Sequence, residues 1–205
     1  MLTCLLIGNP LWASTSLWPA CDAIEATTTM ARKGDRTAQY QFAECLYIGR
    51  GVARDLSMAA EWYRKSADQG YAPAQYQLSD AYRFGRGVPK DALQAFQWME
   101  KVAKQGDINA EVALAGMYAT GDGVPKDAEK SAFWTRKTAE QGHPGGQKLL
   151  GLMYENGAGV PKDFEQARYW YTRAATQRVD QREASSAQEY LDSLNHRLAT
   201  GRSTR

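Results

Sequence analysis

Apolar residues recur at helical spacing in the first part of the stretch 70–105, which illustrates the pattern of the whole chain. Ala74, Leu78 and Ala81 lie three or four residues apart, as residues do on one face of an α-helix. Gly85 follows them, and glycine readily takes the left-handed conformation that ends a helix. The pattern predicts a helix before Gly85, which we call helix A.

A second helix is predicted after a turn. Pro89, in the turn, cannot continue a helix, and Asp91 is suited to cap the next one. Gln94, three residues further on, completes the sequence of a capping box. Ala95 and Trp98 then begin a new apolar stripe at helical spacing. This segment, helix B, is predicted to run antiparallel to helix A.

The same pair of helices is predicted four times along the chain. The second glycine of a Gly-x-Gly-Val turn recurs every 36 residues, and a tryptophan follows it eleven residues later each time. A period of about 20–50 residues is the signature of stacked units, none of which can bury its apolar face alone. The glycines are Gly51, Gly87, Gly123 and Gly159, and the tryptophans are Trp62, Trp98, Trp134 and Trp170.

These motifs resemble those of a known family. A Leu-small-x-x-Tyr core in helix A, the turn Gly-x-Gly-Val-Pro-Lys-Asp, and Ala-x-x-Trp and Ala-x-Gln-Gly in helix B are similar to the Sel-1-like repeat, a relative of the tetratricopeptide repeat. The resemblance covers residues 34–177. It implies an all-α fold, a right-handed superhelical solenoid of antiparallel helix pairs.

The register of the repeats predicts how the chain is divided. We expect four repeats with half a repeat as a cap at each end, because the terminal units of a solenoid face solvent on one side. The predicted segments are a signal peptide or disordered segment at 1–20, a capping helix at 21–33, repeats at 34–69, 70–105, 106–141 and 142–177, a capping helix at 178–199, and a frayed tail at 200–205.

Residues 1–20 are mostly apolar or small and carry no charged side chain. They are typical of a secretory signal peptide except for the missing basic region, which a true start upstream of Met1 would explain. Cleavage after Ala13 would leave a small residue at the cut. This interpretation places the protein in the periplasm or outside the cell. The alternative is a disordered or partly buried segment of a cytoplasmic protein.

Charge and composition argue against several classes of function. The 205 residues include 25 basic and 23 acidic side chains, so nothing favours nucleic acid or an anionic membrane as the partner. Only two histidines, His143 and His196, are present, and no apolar run is long enough to span a membrane. We expect a monomer that needs no cofactor and no metal.

Cys21 and Cys45 are candidates for a disulfide. Cys21 stands thirteen residues before Gly34 and Cys45 eleven residues after it, so in a helix pair that turns at Gly34 the two lie at nearly the same height. A bridge is expected if the protein is exported. Two buried thiols are the alternative if it stays in the cytoplasm.

The repeated glycines, tryptophans and turn cations have architectural interpretations. The Gly-x-Gly turns reverse the chain, and the tryptophans, one per helix B at the same register, are predicted in the core. One cation per turn forms a basic ridge, which we interpret as a solvated edge and, alternatively, as a contact for an acidic partner. The basic ridge consists of Arg54, Lys90, Lys126 and Lys162.

The likeness to tetratricopeptide solenoids also implies a binding face, because in those proteins the side of helix A turned away from helix B lines a concave groove. Tyrosine and arginine are typical of binding hot spots, and here they concentrate, with phenylalanine, on the first two repeats. The alternative is that the tyrosines extend the packing between helices. The candidate binding residues are Tyr40, Glu44, Tyr47, Tyr76, Asp80, Arg83 and Phe84.

The resemblance implies a non-catalytic module that binds a protein or peptide, as an adaptor, a regulator or a toxin-immunity protein. The alternative is an envelope hydrolase acting on β-lactams or peptidoglycan fragments, an activity linked to cysteine-rich relatives. The chain lacks the repeated cysteine pairs of those relatives and has neither a Ser-x-x-Lys nor a Gly-x-Ser-x-Gly nucleophile motif. The sequence therefore favours binding over catalysis.

Overall fold

The computed structural model describes residues 18–177 and 180–200, and within these ranges all regular secondary structure is helical. Most of the predicted signal segment, and the predicted tail beyond Thr200, lie outside the described residues. The helices are α1 (Trp18–Asp22), α2 (Ile24–Arg32), α3 (Arg36–Ile48), α4 (Leu56–Asp68), α5 (Ala72–Phe84), α6 (Ala92–Lys104), α7 (Ile108–Thr120), α8 (Ala128–Glu140), α9 (Pro144–Asn156), α10 (Phe164–Ala175) and α11 (Gln181–Ala199).

The chain forms two compact units, divided in sequence between Trp98 and Met99. In the first unit, α3 packs against α2 and α4, and α4 packs against α5. In the second unit, α8 packs against α7 and α9, and α10 packs against α9 and α11. Helices α3, α5, α7 and α9 correspond to helix A, and α4, α6, α8 and α10 to helix B. The predicted all-α array of antiparallel helix pairs is confirmed.

Aspartates begin the helices that follow the turns. The side chain of Asp91 accepts a hydrogen bond from the backbone N–H of Gln94, and Asp163 accepts one from Gln166, both at 3.0 Å. The reciprocal bond of a capping box is not formed at Asp91, because its backbone N–H already donates to the carbonyl oxygen of Tyr82 at 2.9 Å. That bond ties the start of helix B to helix A of the same repeat.

The second glycine of the turn is required by a close contact between repeats. Gly87 has a φ of +77°, and a Cβ atom added there would overlap the backbone carbonyl of Leu56, the first residue of α4. An added Cβ at Gly159 would overlap the carbonyl of Ala128, the first residue of α8. The turn therefore packs directly on helix B of the preceding repeat, a contact that chain reversal alone does not explain.

In the first and last repeats, one glutamine of helix A bonds to both of the helices next to it. The side chain of Gln39 donates to the carbonyl oxygen of Ala31 in α2 at 3.2 Å and accepts from the side chain of Gln69, at the end of α4, at 2.7 Å. One glutamine of helix A thus holds the helix before it and the helix after it. The matching bonds in the last repeat run from Gln147 Nε2 to Ala139 O (3.2 Å) and from Gln177 Nε2 to Gln147 Oε1 (3.3 Å).

Glu111 occupies the position of this glutamine in the third repeat. It is fully buried and forms an ion pair with Lys137 at 2.7 Å, while Gln141 donates a hydrogen bond to it at 2.6 Å. A carboxylate has no N–H to donate. The third repeat therefore replaces the bond to the preceding helix with contacts to its own helix B.

The four tryptophans share a register but not an environment. Trp98 and Trp170 are 6% and 7% exposed, as predicted for core residues. Trp62 and Trp134 are half-buried, and the ammonium group of Lys137 lies 5.0 Å from the ring centroid of Trp134. The prediction of a core position is therefore correct for Trp98 and Trp170, whereas the other two lie at the border between core and solvent.

The segment before the first repeat contains two helices, α1 and α2, which are separated at the non-helical residue Ala23. A disulfide joins Cys21 of α1 to Cys45 of α3, with Cα atoms 5.5 Å apart, and both residues are buried. This confirms the predicted pairing. The bridge closes a loop with a sequence separation of 24, which in the chain-entropy model contributes about 3 kcal/mol by restricting the unfolded chain.

Candidate binding site

Five of the predicted binding residues lie at the surface of the first unit. Tyr47 of α3 and Tyr76 and Asp80 of α5 are half-buried, whereas Arg83 and Phe84 are exposed. Tyr47 and Asp80 line the same small cavity, so side chains of α3 and α5 approach each other here. We call this surface the α3–α5 face.

Tyr40 and Glu44 are only 3% and 6% exposed, rather than open to a groove as predicted. The ring centroid of Tyr40 lies 6.0 Å from that of Tyr63 and 5.4 Å from that of Tyr71. The hydroxyl of Tyr63 donates a hydrogen bond of 2.5 Å to Glu44, and the side chains of Tyr40 and Gln77 also lie beside this carboxylate. Tyr40 thus extends the packing between helices, which was the alternative interpretation of the sequence.

Burial acts on the two acidic groups of the site. It raises the pKa of Glu44 above its usual value, and the hydrogen bond from Tyr63 opposes this. Burial also raises the pKa of Asp80 above its usual value, and the guanidinium groups of Arg86 and Arg83 offset only part of this rise. Asp80 therefore places a carboxyl group close to two arginines, in the wall of the small cavity.

Phe84 is an exposed aromatic side chain with two arginines close to its ring. It is 53% exposed, and the guanidinium carbons of Arg83 and Arg86 lie 5.5 and 4.7 Å from its ring centroid. Such cations are attracted by the face of an aromatic ring. Ile48, at the same repeat position in α3, is 48% exposed. The face thus combines apolar anchors with positioned guanidinium groups.

The family model described as the Sel1 repeat matches four consecutive stretches, residues 37–71, 72–107, 108–143 and 144–179. The chain belongs to the Sel1 repeat family. A solved structure of a Sel1 repeat protein from Oxalobacter formigenes is 30% identical, with a TM-score of 0.75 over 86% of this chain and 72% of that one.

A second solved structure is that of a protective antigen present in uropathogenic Escherichia coli strains, described as displaying an SLR fold. It is 39% identical to this Sel1 repeat protein, with a TM-score of 0.68 over 76% of the chain. The chain spans about a third of the antigen, 33% of its length. A comparison with curated protein sequences gives no match.

Arg86 and Gln77 belong to the site of this Sel1 repeat protein but were not predicted from its sequence. Arg86 stands between the two glycines of a Sel1 turn, and we interpreted that turn only as a chain reversal. One signal was present in the sequence. The residue between the two glycines differs among the repeats, so the turn itself does not require an arginine there. The residues there are Arg50, Arg86, Asp122 and Ala158.

The cations of the basic ridge follow the turns of the Sel1 repeats and are all exposed. Arg54 donates from Nε to the backbone carbonyl of Tyr47 at 3.0 Å. The ammonium group of Lys162 lies 4.9 Å from the ring centroid of Phe164. These local contacts agree with the interpretation of the ridge as a solvated edge.

Of the two histidines of this Sel1 repeat protein, one caps a helix and the other is exposed on a helix surface. His143 caps α9, where its Nδ1 accepts from the backbone N–H of Gly146 at 3.0 Å, and His196 is exposed on α11. Among the described residues, no three His, Cys, Asp or Glu side chains are grouped so that they could hold a metal ion. In residues 18–177 and 180–200, no helix has the length and hydropathy needed to cross a membrane.

Proposed function

We propose that this Sel1 repeat protein is a non-catalytic module that binds a protein or peptide at the α3–α5 face. The observation that carries the proposal is the exposed ring of Phe84 with the guanidinium groups of Arg83 and Arg86 beside it. Aromatic rings and arginines supply much of the binding energy at protein interfaces. A partner that covers Phe84 would gain the free energy of removing an apolar surface from water.

The later repeats support a site in the first unit. Thr120 and Asn156 stand at the position of Phe84, and their side chains bond to carbonyl oxygens of their own helices at 2.9 and 3.0 Å. Ala119 stands at the position of Arg83. Because all four repeats share one fold, an aromatic ring and an arginine at these positions are not needed to build a repeat. Their presence in α5 favours a role in binding.

We assign Tyr40 and Glu44 a supporting role. The hydrogen bond between Tyr63 and Glu44 joins α4 to α3, and the side chain of Gln77, from α5, lies beside the same carboxylate. A surface held rigid in this way loses little conformational freedom when a partner binds. These two residues therefore stabilise the surface on which Tyr47, Tyr76 and Phe84 are displayed.

We also propose that the protein acts outside the cytoplasm, as an adaptor, a regulator or an immunity protein. The Cys21–Cys45 bridge supports this, because disulfides persist mainly in oxidising compartments. Mass spectrometry of protein recovered from its own cells should find the bridge formed and a mature N-terminus between Ser14 and Cys21. A full-length protein with both thiols open to alkylation would contradict the proposal.

Tyr76→Ala and Arg83→Ala are expected to weaken binding of a protein partner by about 1–3 kcal/mol each, because each removes an anchor of the α3–α5 face. The partner would be identified by affinity capture, and its binding to each variant measured by calorimetry. Thr120→Ala and Asn156→Ala are the matched controls from the later repeats and should change affinity much less. Helical circular dichroism checks that all four variants fold. Equal losses in both pairs, or no loss in either, would place the site elsewhere.

A further inference from the structure

Arg50 shows how a carboxylate is bound at the middle of a Gly-x-Gly turn. Its guanidinium group donates three hydrogen bonds to Asp22, of 2.8, 3.0 and 3.1 Å, in the forked geometry that suits arginine and carboxylate. Arg86 occupies the same position one repeat later, but Met58 stands where Asp22 would be. At this position the chain therefore supplies no carboxylate to Arg86, whose acidic neighbour is instead Asp80, on helix A of the same repeat.

The surroundings of Arg86 add an apolar anchor and a second cation. Arg86 and Arg83 both lie beside the exposed ring of Phe84, and Arg86 lines the same cavity as Tyr47. Ile48, at the matching place on α3, is also exposed. We call Ile48, Arg83, Phe84 and Arg86 the arginine site. The same turn position carries Asp122 and Ala158 in the later repeats, so the combination is particular to the first unit.

We propose that the arginine site binds an acidic segment of the protein partner, in which a carboxylate side chain is bound by Arg86, Arg83 adds positive charge beside it, and a neighbouring apolar side chain packs on Phe84 and Ile48. This inference rests on the proposed function and names the chemistry of the partner. The chain itself provides the precedent, because Arg50 already holds a carboxylate in this way. Guanidinium groups close to an aromatic ring have lost part of their freedom, so they are positioned for a forked bond.

A discrete carboxylate fits the site better than a polyanion does. The half-buried carboxyl of Asp80 lies close to both arginines, and its negative charge would repel a dense row of phosphates more strongly than it would repel a single carboxylate. The net charge of the whole chain is only +2, which gives little long-range attraction for a nucleic acid or an anionic membrane. An acidic peptide needs only the local pair of arginines and the apolar anchor.

A displayed library of random dodecapeptides, selected on the whole protein, tests the inference. We expect enriched peptides to carry Asp or Glu next to an aromatic or aliphatic residue. Calorimetry with the strongest synthetic peptide should show at least a tenfold loss of affinity for the variant with Arg83→Ala and Arg86→Ala. The affinity should also fall between about 50 and about 200 mM salt, because exposed ion pairs are screened. The matched control, Lys126→Ala with Lys162→Ala, removes the same charge from the second unit and should bind as the wild type does.

The outcomes separate this inference from the proposed function. Enriched peptides that lack acidic residues but depend on Phe84 would overturn the acidic partner and leave the binding face standing. Peptides that bind both double variants equally well, or no enrichment at all, would count against both. Vesicles of phosphatidylcholine and phosphatidylglycerol and a single-stranded oligothymidine are the remaining probes. Binding of either that is lost with Arg83→Ala and Arg86→Ala would replace the acidic peptide with a phosphate polyanion.

Discussion

Gly87→Ala is expected to lower the free energy of unfolding by about 4 kcal/mol or more, an exceptionally large effect for the addition of one methyl group. The new Cβ would overlap the backbone carbonyl of Leu56. No change of side-chain rotamer relieves that overlap, because both groups belong to the backbone or are attached directly to it. The turn must therefore move away from α4, and the contact between consecutive repeats is lost.

Gly70→Ala is the matched control for the backbone conformation. Gly70 has a φ of +78°, almost equal to the +77° of Gly87, but a Cβ added there would meet nothing within 4 Å. It should cost about 1–2 kcal/mol, the strain of an alanine in the left-handed region. Urea unfolding followed by circular dichroism measures both variants. If the free energy of unfolding falls equally in the two variants, the close contact with α4 contributes nothing to stability.

Trp170→Ala is expected to destabilise the protein by about 3–5 kcal/mol. Trp170 is 7% exposed and packs with Ala139 and Leu150 in one apolar cluster, against which the ring of Tyr154 also lies. Its indole N–H has no hydrogen-bond partner among the described residues, so the substitution removes packing rather than a hydrogen bond. The loss is that of a large apolar group and of the cavity that remains.

Trp134→Ala provides the comparison at the same register one repeat earlier. Trp134 is half-buried, so less apolar surface returns to water and the expected loss is about 1–2 kcal/mol. Chemical denaturation of both variants under one set of conditions gives the difference. Equal losses would show that the repeat register, and not the local burial, determines how much each tryptophan contributes.

The fold could be predicted because the residues that define a repeat recur at a fixed spacing along the sequence. Gly87 and Trp98 mark a turn and a core position, and their recurrence every 36 residues fixes the pairs of helices without knowledge of any distant contact. The same register identified Cys21 and Cys45 as candidates for a disulfide, because they lie at similar heights on neighbouring helices, but it left open the alternative of two buried thiols.

The site was predicted less completely, because the burial of each of its residues depends on side chains from other helices. Tyr40 shares a register with exposed and half-buried residues, but Tyr63 and Tyr71 pack against its ring, and a single helical pattern does not contain that information. Arg86 was missed for a different reason. A residue between two glycines of a turn is naturally attributed to the turn, although its side chain reaches the ring of Phe84.

The glutamine bonds have a consequence for how such an array can change in length. Gln39 connects α3 to Ala31 before it and to Gln69 after it, and Gln147 makes the same two connections in the last repeat. A duplication of one whole 36-residue unit that carries this glutamine brings it to the new junction in register for both bonds, whereas the third repeat, with Glu111, would supply only the contacts to its own helix B. An insertion of any other length leaves a buried amide facing the wrong residue. The array can therefore gain or lose entire repeats more readily than it can accept insertions of other lengths. Each added repeat brings a new pair of helix surfaces, whose exposed residues can change in sequence without disturbing the neighbouring repeats.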